Sequence, residues 1–585
     1  MNYRLRTNEE RKEKMTLRDA YVSLKPLLGD EKKHLLLALF AIALTSTANL
    51  MAPVMISRTI DTYFATKNFH GVLVNSGILL AIFAVGVAAQ YMQTMVMGGV
   101  GRRVLFKLRN AIFTKIQNLP VAFFQANKSG DLISRINNDT DKLNTFFSQA
   151  LMQFVGNFFI MLGAAIFMIS LHPKLGLATL APAAAVILIT QVISGWIKRT
   201  STKSLQSTGG LSAEISESLA NFKVVVAFNR FDFFRTKFAD VNTKNYKASV
   251  RAGIASGTLT PLYGVASSVA QIVLLAYGFA LILSGNLTFG LLVGFFLYVN
   301  NFYTPLRQLA TIWSSLQLAM ASLDRISEVL DLETTLHLVP TEVINKSEAV
   351  LVFDHVFFSY SNNIDVLRDV NLSLERGKTY ALVGPTGGGK TTTASLMARL
   401  YDPTMGTIYL DGYDIRSYTP EQRTGKIGFI LQEPFLFTGT VAENIIYGND
   451  EYPNGATLGL LEKLKLQSLD SLLVRFENGL DTKVGASDSI SLGQKQLIAF
   501  MRAVLRRPEI IILDEATANI DTVTEQILEE ILAKLPKDTT KIIIAHRLNT
   551  IQNADDIFFV NGGEVVEAGS FENALEMLMH GKRTS

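Results

Sequence analysis

Five stretches between Leu35 and Leu306 contain no Asp, Glu, Lys or Arg: Leu35–Ser57, Gly71–Gly101, Leu143–Leu171, Leu175–Ile197 and Ala252–Leu306. A helix needs roughly 20 apolar residues to cross the hydrocarbon of a bilayer, where every backbone polar group must be satisfied internally. The first four stretches meet that length once each. The fifth is too long for one crossing, and the turn-prone Ser284–Gly290 (SGNLTFG) divides it. Six spanning helices are therefore expected.

Composition agrees with that split. The chain has 585 residues, 48% hydrophobic and 18% charged, which is too little charge for a wholly soluble protein of this length. A net charge of +4 gives no case for nucleic-acid binding. Cysteine is absent, which excludes disulfides and thiolate metal sites. Residues 1–33 are highly charged, carry no cleavable signal pattern, and are expected to form a cytoplasmic amphipathic lead-in on the membrane face.

Basic residues set the orientation. Arg102, Arg103, Lys107, Arg109, Lys115, Lys128 and Arg135 follow the second span. Lys198, Arg199, Lys203, Lys223, Arg230, Arg235, Lys237 and Arg251 follow the fourth. Both segments should be cytoplasmic, helical and long enough to project well beyond the bilayer, with both termini on the same side. No acid lies inside the spans, which weakens a proton- or sodium-coupled scheme. Carboxylates at helix ends, such as Asp61, remain.

From about Val350 the pattern changes to short β-branched runs alternating with helical stretches, the rhythm of an α/β domain with a largely parallel sheet. The strand Thr379–Val383 runs into Gly384-Pro385-Thr386-Gly387-Gly388-Gly389-Lys390-Thr391, a helix follows, and these residues with Thr392 are expected to bind ATP. This is a phosphate-binding loop in its required strand–loop–helix context. Glycines let backbone N–H groups approach phosphate, and the helix N-terminus favours the anion. Lys390 should reach the β- and γ-phosphates of ATP, and Thr391 should ligate Mg²⁺. A second apolar strand ends in Asp514-Glu515. Asp514 fits a Mg²⁺-site carboxylate, and Glu515 fits the general base for the attacking water. Two further strands end near Gln432 and His546. Ligands of open α/β sheets sit at the carboxyl ends of strands, so four polar ends on one edge make a site.

The order of these pieces resembles the nucleotide-binding domain of ABC transporters: "FFSY", the phosphate loop, "LQEPFLF", "SISLGQ", "IIILDEATANID" and "IIAHR". In the membrane half, "FFQANKSGDLISRINNDTDKL" and "ESLANFKVVVAFNR" resemble the two cytoplasmic loops of ABC exporters. "ASLDRISEVLD" resembles the hinge after the sixth span. The resemblance implies a lead-in at 1–33, a six-helix transmembrane domain at 34–325, a linker at 326–349 and a nucleotide-binding domain at 350–585. It implies that Tyr360 stacks on adenine and that Gln432 links Mg²⁺ and the attacking water to the membrane domain. It further implies that His546 bonds the γ-phosphate and that Asp521 signals across a dimer. Ser491, Leu492, Gly493 and Gln494 would cap the ATP held by the opposite subunit. Residues near Phe124–Gly130 and Glu217–Phe222 would dock on nucleotide domains.

Two positions depart from the family pattern. Where the capping segment usually reads L-S-G-G-Q, this chain has Ile490-Ser491-Leu492-Gly493-Gln494. The preceding "TKVGASDS" is one residue short and has Ala486 near a position usually occupied by Glu. Leu492 is bulkier than glycine and limits close approach to phosphate. The chain's own ATP-holding set is complete, so the resemblance points to a heterodimer whose partner has a degenerate catalytic base. Apolar residues at this position also occur in working sites of the family, which leaves a homodimer open. The implied function is ATP-driven export of amphipathic compounds across a bacterial cytoplasmic membrane, of the heterodimeric multidrug type. Lipid or peptide export on the same architecture, or a nucleotide-gated channel, are the alternatives. Gln153, Asn157, Phe158, Tyr298, Asn301, Phe302 and Trp313 are candidate cavity residues, although such residues at helical spacing usually pack.

Overall fold

The computed structural model describes residues 3–5, 16–333, 338–340, 349–360, 365–449, 451–452, 457, 459–467, 469–485, 490–514, 522–544 and 552–580. The chain divides into two compact units. One holds residues 6–116 and 130–331; the other holds 1–5, 117–129 and 332–585.

In the helical unit and its loops the elements are α1 (Leu17–Leu28), α2 (Lys32–Arg58), α3 (Phe69–Gln117), α4 (Val121–Ala126), α5 (Ser129–Ser134), α6 (Thr140–Thr145), α7 (Leu151–Leu171), α8 (Pro173–Ala220), α9 (Phe222–Ala227), α10 (Phe231–Gly257), α11 (Leu259–Leu283) and α12 (Phe289–Leu330). Six helical stretches are long and apolar enough to cross a membrane. They correspond to the expected spans, and Ser284–Thr288 does separate the last two. The expected helical extensions are continuous with the spans: α3 and α8 each run far past their apolar segments. Large apolar side chains such as Leu80, Val87, Val192, Ile272 and Leu283 are exposed, as a lipid-facing surface requires.

Several polar groups inside this unit make helix–helix contacts. The Tyr298 hydroxyl donates to the Leu50 carbonyl at 2.6 Å, and Tyr303 donates to the Thr179 carbonyl at 2.9 Å. Asn301 donates to the Asn49 carbonyl at 3.1 Å. Tyr298 also stacks on Phe167 at 5.5 Å between ring centroids and is fully buried. As a cavity residue Tyr298 is therefore corrected: it is core. Of the other candidates, Gln153 and Phe158 are exposed, Asn157 is half-buried and Phe302 packs against the core. The Trp313 side chain lies outside the described residues.

Asp61 has a structural job. It sits in a π-helical turn, Thr59–Phe64, that continues α2. Its carboxylate accepts from the Thr288 hydroxyl at 2.6 Å and from the Gly290 N–H at 2.7 Å, capping the N-terminus of α12. A Cβ on Gly290 would lie 2.4 Å from the Ser57 carbonyl, so only glycine admits this approach.

At the other end of α12 a buried ion cluster holds the α5–α6 region. Arg135, 1% exposed, donates to Asp131 (2.9 Å), Glu328 (2.9 Å) and the Arg325 carbonyl (2.5 Å). Arg325 pairs with Asp131 and, at 3.3 Å, with Asp139. Asp139 also accepts from Ser322 at 3.1 Å and from Lys142 at 3.0 Å.

The second unit carries twelve strands among the described residues. They are β1 (Ala349–Phe358), β2 (Leu367–Glu375), β3 (Thr379–Val383), β4 (Met405–Leu410), β5 (Tyr413–Asp414), β6 (Ile427–Ile430), β7 (Gly439–Thr440), β8 (Lys483–Val484), β9 (Ile510–Asp514), β10 (Thr540–Ile544), β11 (Asp556–Asn561) and β12 (Glu564–Glu567). The principal sheet has the order β12-β11-β3-β10-β9-β6, with only β12 antiparallel. A smaller antiparallel sheet runs β2-β1-β4-β5. Helices α13 (Lys390–Met397), α14 (Pro420–Lys426), α15 (Val441–Ile446), α16 (Leu460–Leu466), α17 (Leu492–Val504) and α18 (Thr522–Ala533) complete the part used below. The apolar β-strands pack with α13 in one core, and α15 to α17 build a second around Ile498, Phe500 and Met501.

The unit also includes α4. Phe123 is fully buried, and Ala122 packs against the core of the β-sheets. Residues 3–5 belong here too, so the expected lead-in is not uniform. Among its described residues, α1, opened by a Thr16–Asp19 capping box, is helical and runs through the turn Gly29–Glu31 into α2.

Candidate nucleotide site

Parallel pairing brings the strand ends level. Ile544 stands opposite Asp514 and Leu382, and Ile430 stands opposite Leu513. The chain leaves this edge at Val383 into the glycine loop, at Ile430 toward Gln432, at Asp514 toward Glu515, and at Ile544 toward His546. Gln432 is exposed, two residues beyond β6. Glu515, Asp521 and His546 lie outside the described residues.

The loop needs its glycines. Gly384 has φ +144°, and a Cβ there would sit 2.0 Å from the Val560 carbonyl; at Gly388 the same carbonyl would be 2.5 Å away. The backbone of β11 is thus the floor of the loop and leaves no room for side chains. Gly389, at φ +116°, precedes the first turn of α13. Pro385, Thr386 and Gly387 are exposed above it. Lys390 is buried, and its ammonium donates to the carbonyls of Gly384 (2.8 Å) and Pro385 (3.0 Å). An ammonium held over the loop by two neutral acceptors can exchange them for phosphate oxygens.

Thr391 is exposed and donates its hydroxyl to Asp514 at 3.2 Å. Asp514 is almost fully buried. A hydroxyl and a carboxylate this close are hard oxygen donors of the type that suit Mg²⁺, and they fit the expected metal position. Tyr360 is half exposed. Its hydroxyl lies 2.9 Å from that of Thr392, and its ring meets Phe358 and Tyr401 edge-on at 4.9 and 5.3 Å. Burial pushes the Tyr401 hydroxyl up to about 12. The tie from Tyr360 to the phosphate-loop helix was not legible in the sequence, because it joins residues on different elements.

Ser491 to Gln494 form the start of α17. Ser491 is the N-cap, and Gln494 closes a capping box with it: Gln494 N–H donates to Ser491 Oγ at 3.2 Å and Ser491 N–H to Gln494 Oε1 at 2.9 Å. Gln494 also donates to the Arg475 carbonyl at 2.5 Å. Leu492 is the first helical residue and is 42% exposed, with Gly493 half-buried behind it. Its φ is not in the left-handed region, so no local conformation demands glycine there.

A cavity of about 270 Å³ lies between β6 and α17. Phe429, Phe435, Phe437, Tyr447 and Arg502 line it. Arg502 donates to the carbonyls of Asn444 (2.8 Å) and Phe435 (3.2 Å), its guanidinium 5.5 Å from the Tyr447 ring centre. Burial draws this guanidinium below its usual range. The aromatics of "EPFLF" were the available sequence signal for it. The two expected docking segments are α4, ending at Asn127, and α9, which begins only at Phe222. The expected segment Glu217–Phe222 therefore spans the end of α8 and the first residue of α9, and the expected segment Phe124–Gly130 spans the end of α4 and the start of α5. On α9, Phe222, Val224 and Val226 are exposed and Val225 is buried.

Comparison with known proteins agrees with both halves. Residues 35–306 match the model of the ABC transporter transmembrane region, and residues 367–518 match the ABC transporter domain. The chain is similar to a fatty acid ABC transporter ATP-binding/permease protein of Mycobacterium bovis, at 34% identity over 85% of this chain and 78% of the relative. It is also similar to a multidrug resistance ABC transporter ATP-binding and permease protein of Lactococcus lactis, at 32% over 89% and 87%. An uncharacterized ABC transporter ATP-binding protein of Bacillus subtilis, YfiC, is 32% identical over 94% and 91%. With six spanning helices and an ATP-binding domain on one chain, the protein belongs to the ABC transporter family, as an exporter-type half-transporter that couples ATP hydrolysis to membrane transport.

Proposed function

We propose that the protein moves amphipathic compounds outward across a bacterial cytoplasmic membrane, with both termini in the cytoplasm, as one half of a heterodimer. The observation that carries the ATP chemistry is the Thr391–Asp514 pair beside Lys390 at the level edge of the sheet. Lys390 would bind the β- and γ-phosphates, the loop N–H groups would cradle them, and Tyr360 would offer its ring to adenine. Thr391, Asp514 and Gln432 would hold Mg²⁺. Bound magnesium supplies charge neutralisation at the phosphate oxygens. Glu515 would take the proton of the attacking water and His546 would donate to the γ-phosphate. Binding two nucleotides between two such domains would draw them together, and hydrolysis would release them.

The heterodimer rests on Leu492. It stands on the open first turn of α17, where its side chain would face the phosphates of the partner's ATP. A weakened cap donated beside an intact own set, Lys390, Asp514 and Glu515, fits a pair with one working site. The experiment is Glu515→Gln in the assembled transporter. ATPase activity is expected to fall about 100-fold or more with ATP binding retained. Fast turnover by the variant would remove Glu515 as the base.

One observation favours an acidic amphiphile such as a fatty acid. Lys198, Arg199, Thr202 and Lys203 form one exposed stripe of α8 just past the fourth span, beside an open volume of about 510 Å³. Comparing ATPase stimulation by cationic dyes and by fatty acids separates the two: stimulation by fatty acids alone selects the acidic class.

A further inference from the structure

Asn127 ends α4 in an extended conformation, and its side chain uses three of its bonding positions. Its amide nitrogen donates to the Phe123 carbonyl at 2.8 Å, closing the last turn of α4, and to the Tyr3 carbonyl at 2.8 Å. Its oxygen accepts the Leu5 N–H at 2.9 Å. In an extended strand the C=O of one residue and the N–H of the second residue along point to the same side. A primary amide side chain therefore pairs with Tyr3 and Leu5 as a neighbouring strand would. The burial agrees: Tyr3 and Leu5 are 9% and 6% exposed, while Arg4 between them is exposed. Three residues remote from 127 in sequence are thus strapped to the helix whose Phe123 and Ala122 pack into the nucleotide domain.

We propose that residues 3–5 are a strap that sets how α4 is held within the nucleotide unit, and that Asn127 is the positioning residue through which they hold it. The strap's hydrogen bonds to Asn127 lie at the end of α4 rather than on the phosphate loop. The strap acts on how far a change in the nucleotide domain is passed along the chain into α5 and α6. This rests on the protein binding ATP, and the experiment tests the two separately.

Hydrogen exchange is measured on the assembled full-length transporter, with and without Mg-ATP, in the parent and in Leu5→Asp, Asn127→Asp and Leu5→Met. Asn127→Asp keeps the acceptor for the Leu5 N–H but sets a carboxylate against two carbonyls. Residues 384–392 report nucleotide binding, and residues 129–145 report transmission. In Leu5→Asp and Asn127→Asp the ATP-dependent change at 129–145 is expected to fall at least threefold, with protection at 384–392 kept. Leu5→Met is expected to behave as the parent. An undiminished response at 129–145 in both disruptive variants overturns the strap. So does loss of protection at 384–392 together with a lowered melting temperature, which marks a purely structural role. No protection at 384–392 in the parent itself would instead strike the ATP assignment.

Discussion

At Gly384, a φ of +144° and the Val560 carbonyl together exclude a side chain. Gly384→Ala should therefore strain the loop by at least ~1–3 kcal/mol and abolish nucleotide binding, read by calorimetric titration with ATP. Normal binding by that variant would show that the loop relaxes away from β11. Leu492 is the opposite case. Its backbone is ordinary helix, so Leu492→Gly should change the fold little beyond roughly 1 kcal/mol from helix propensity. Its effect would fall on the site completed across the dimer, and it should not restore fast hydrolysis there if the partner lacks a base. The sequence made both residues visible for different reasons. Spacing revealed Gly384, whereas Leu492 needed a family pattern to stand out. Tyr298 shows the limit: a lone tyrosine in an apolar run looked like cavity lining, but its hydroxyl is bonded to the Leu50 carbonyl of another helix. No local pattern encodes a partner 248 positions away.

Two ion clusters lock elements together, and they should differ under test. Around Arg135 the guanidinium and Asp139 are buried while Asp131 and Glu328 keep partial exposure, and the cluster joins α5, the following turn and α6 to the end of α12. Removing the buried guanidinium takes a charged partner from Asp131 and from Glu328, so Arg135→Ala should cost about 2 kcal/mol, seen as a lower melting temperature in detergent. In the nucleotide unit, Arg376 bonds Glu509 (2.7 Å) and Asp411 (2.6 Å), and Lys426 bonds Asp411 (2.8 Å) and Glu509. Burial works against ionised Glu509, but Lys426 and Arg376 outweigh it and hold its pKa below the usual carboxylate value. A depressed acid contributes stability above its unfolded pKa of about 4.5 and loses that contribution as pH falls through the folded value. Glu509→Gln should then cost ~1 kcal/mol near neutral pH, after allowance for solvent screening. The difference from the parent should shrink below about pH 4.5; a pH-independent difference would mean that packing, not charge, is lost. Lys426 ends α14 and the other three lie in turns beside β2, β4 and β9, so strand and helix patterns pointed to those elements and to none of the pairings.

For the whole molecule, the sequence carried the architecture because its two halves obey different solvents. Charge-free runs of spanning length announced six helices, and alternating β-branched runs around a glycine loop announced a parallel sheet. Chain elements that cross this division were less visible. Tyr3–Leu5 and α4 belong with the nucleotide unit although they precede or interrupt the membrane helices. On the proposed reading this chain holds the working ATP site of an asymmetric pair, and the decisive measurement is vanadate trapping of the assembled transporter with photoreactive azido-ATP, followed by separation of the subunits. Label confined to this chain, and lost in Glu515→Gln, is the expected result. Equal label in both subunits, or a complex containing only copies of this chain, would contradict it.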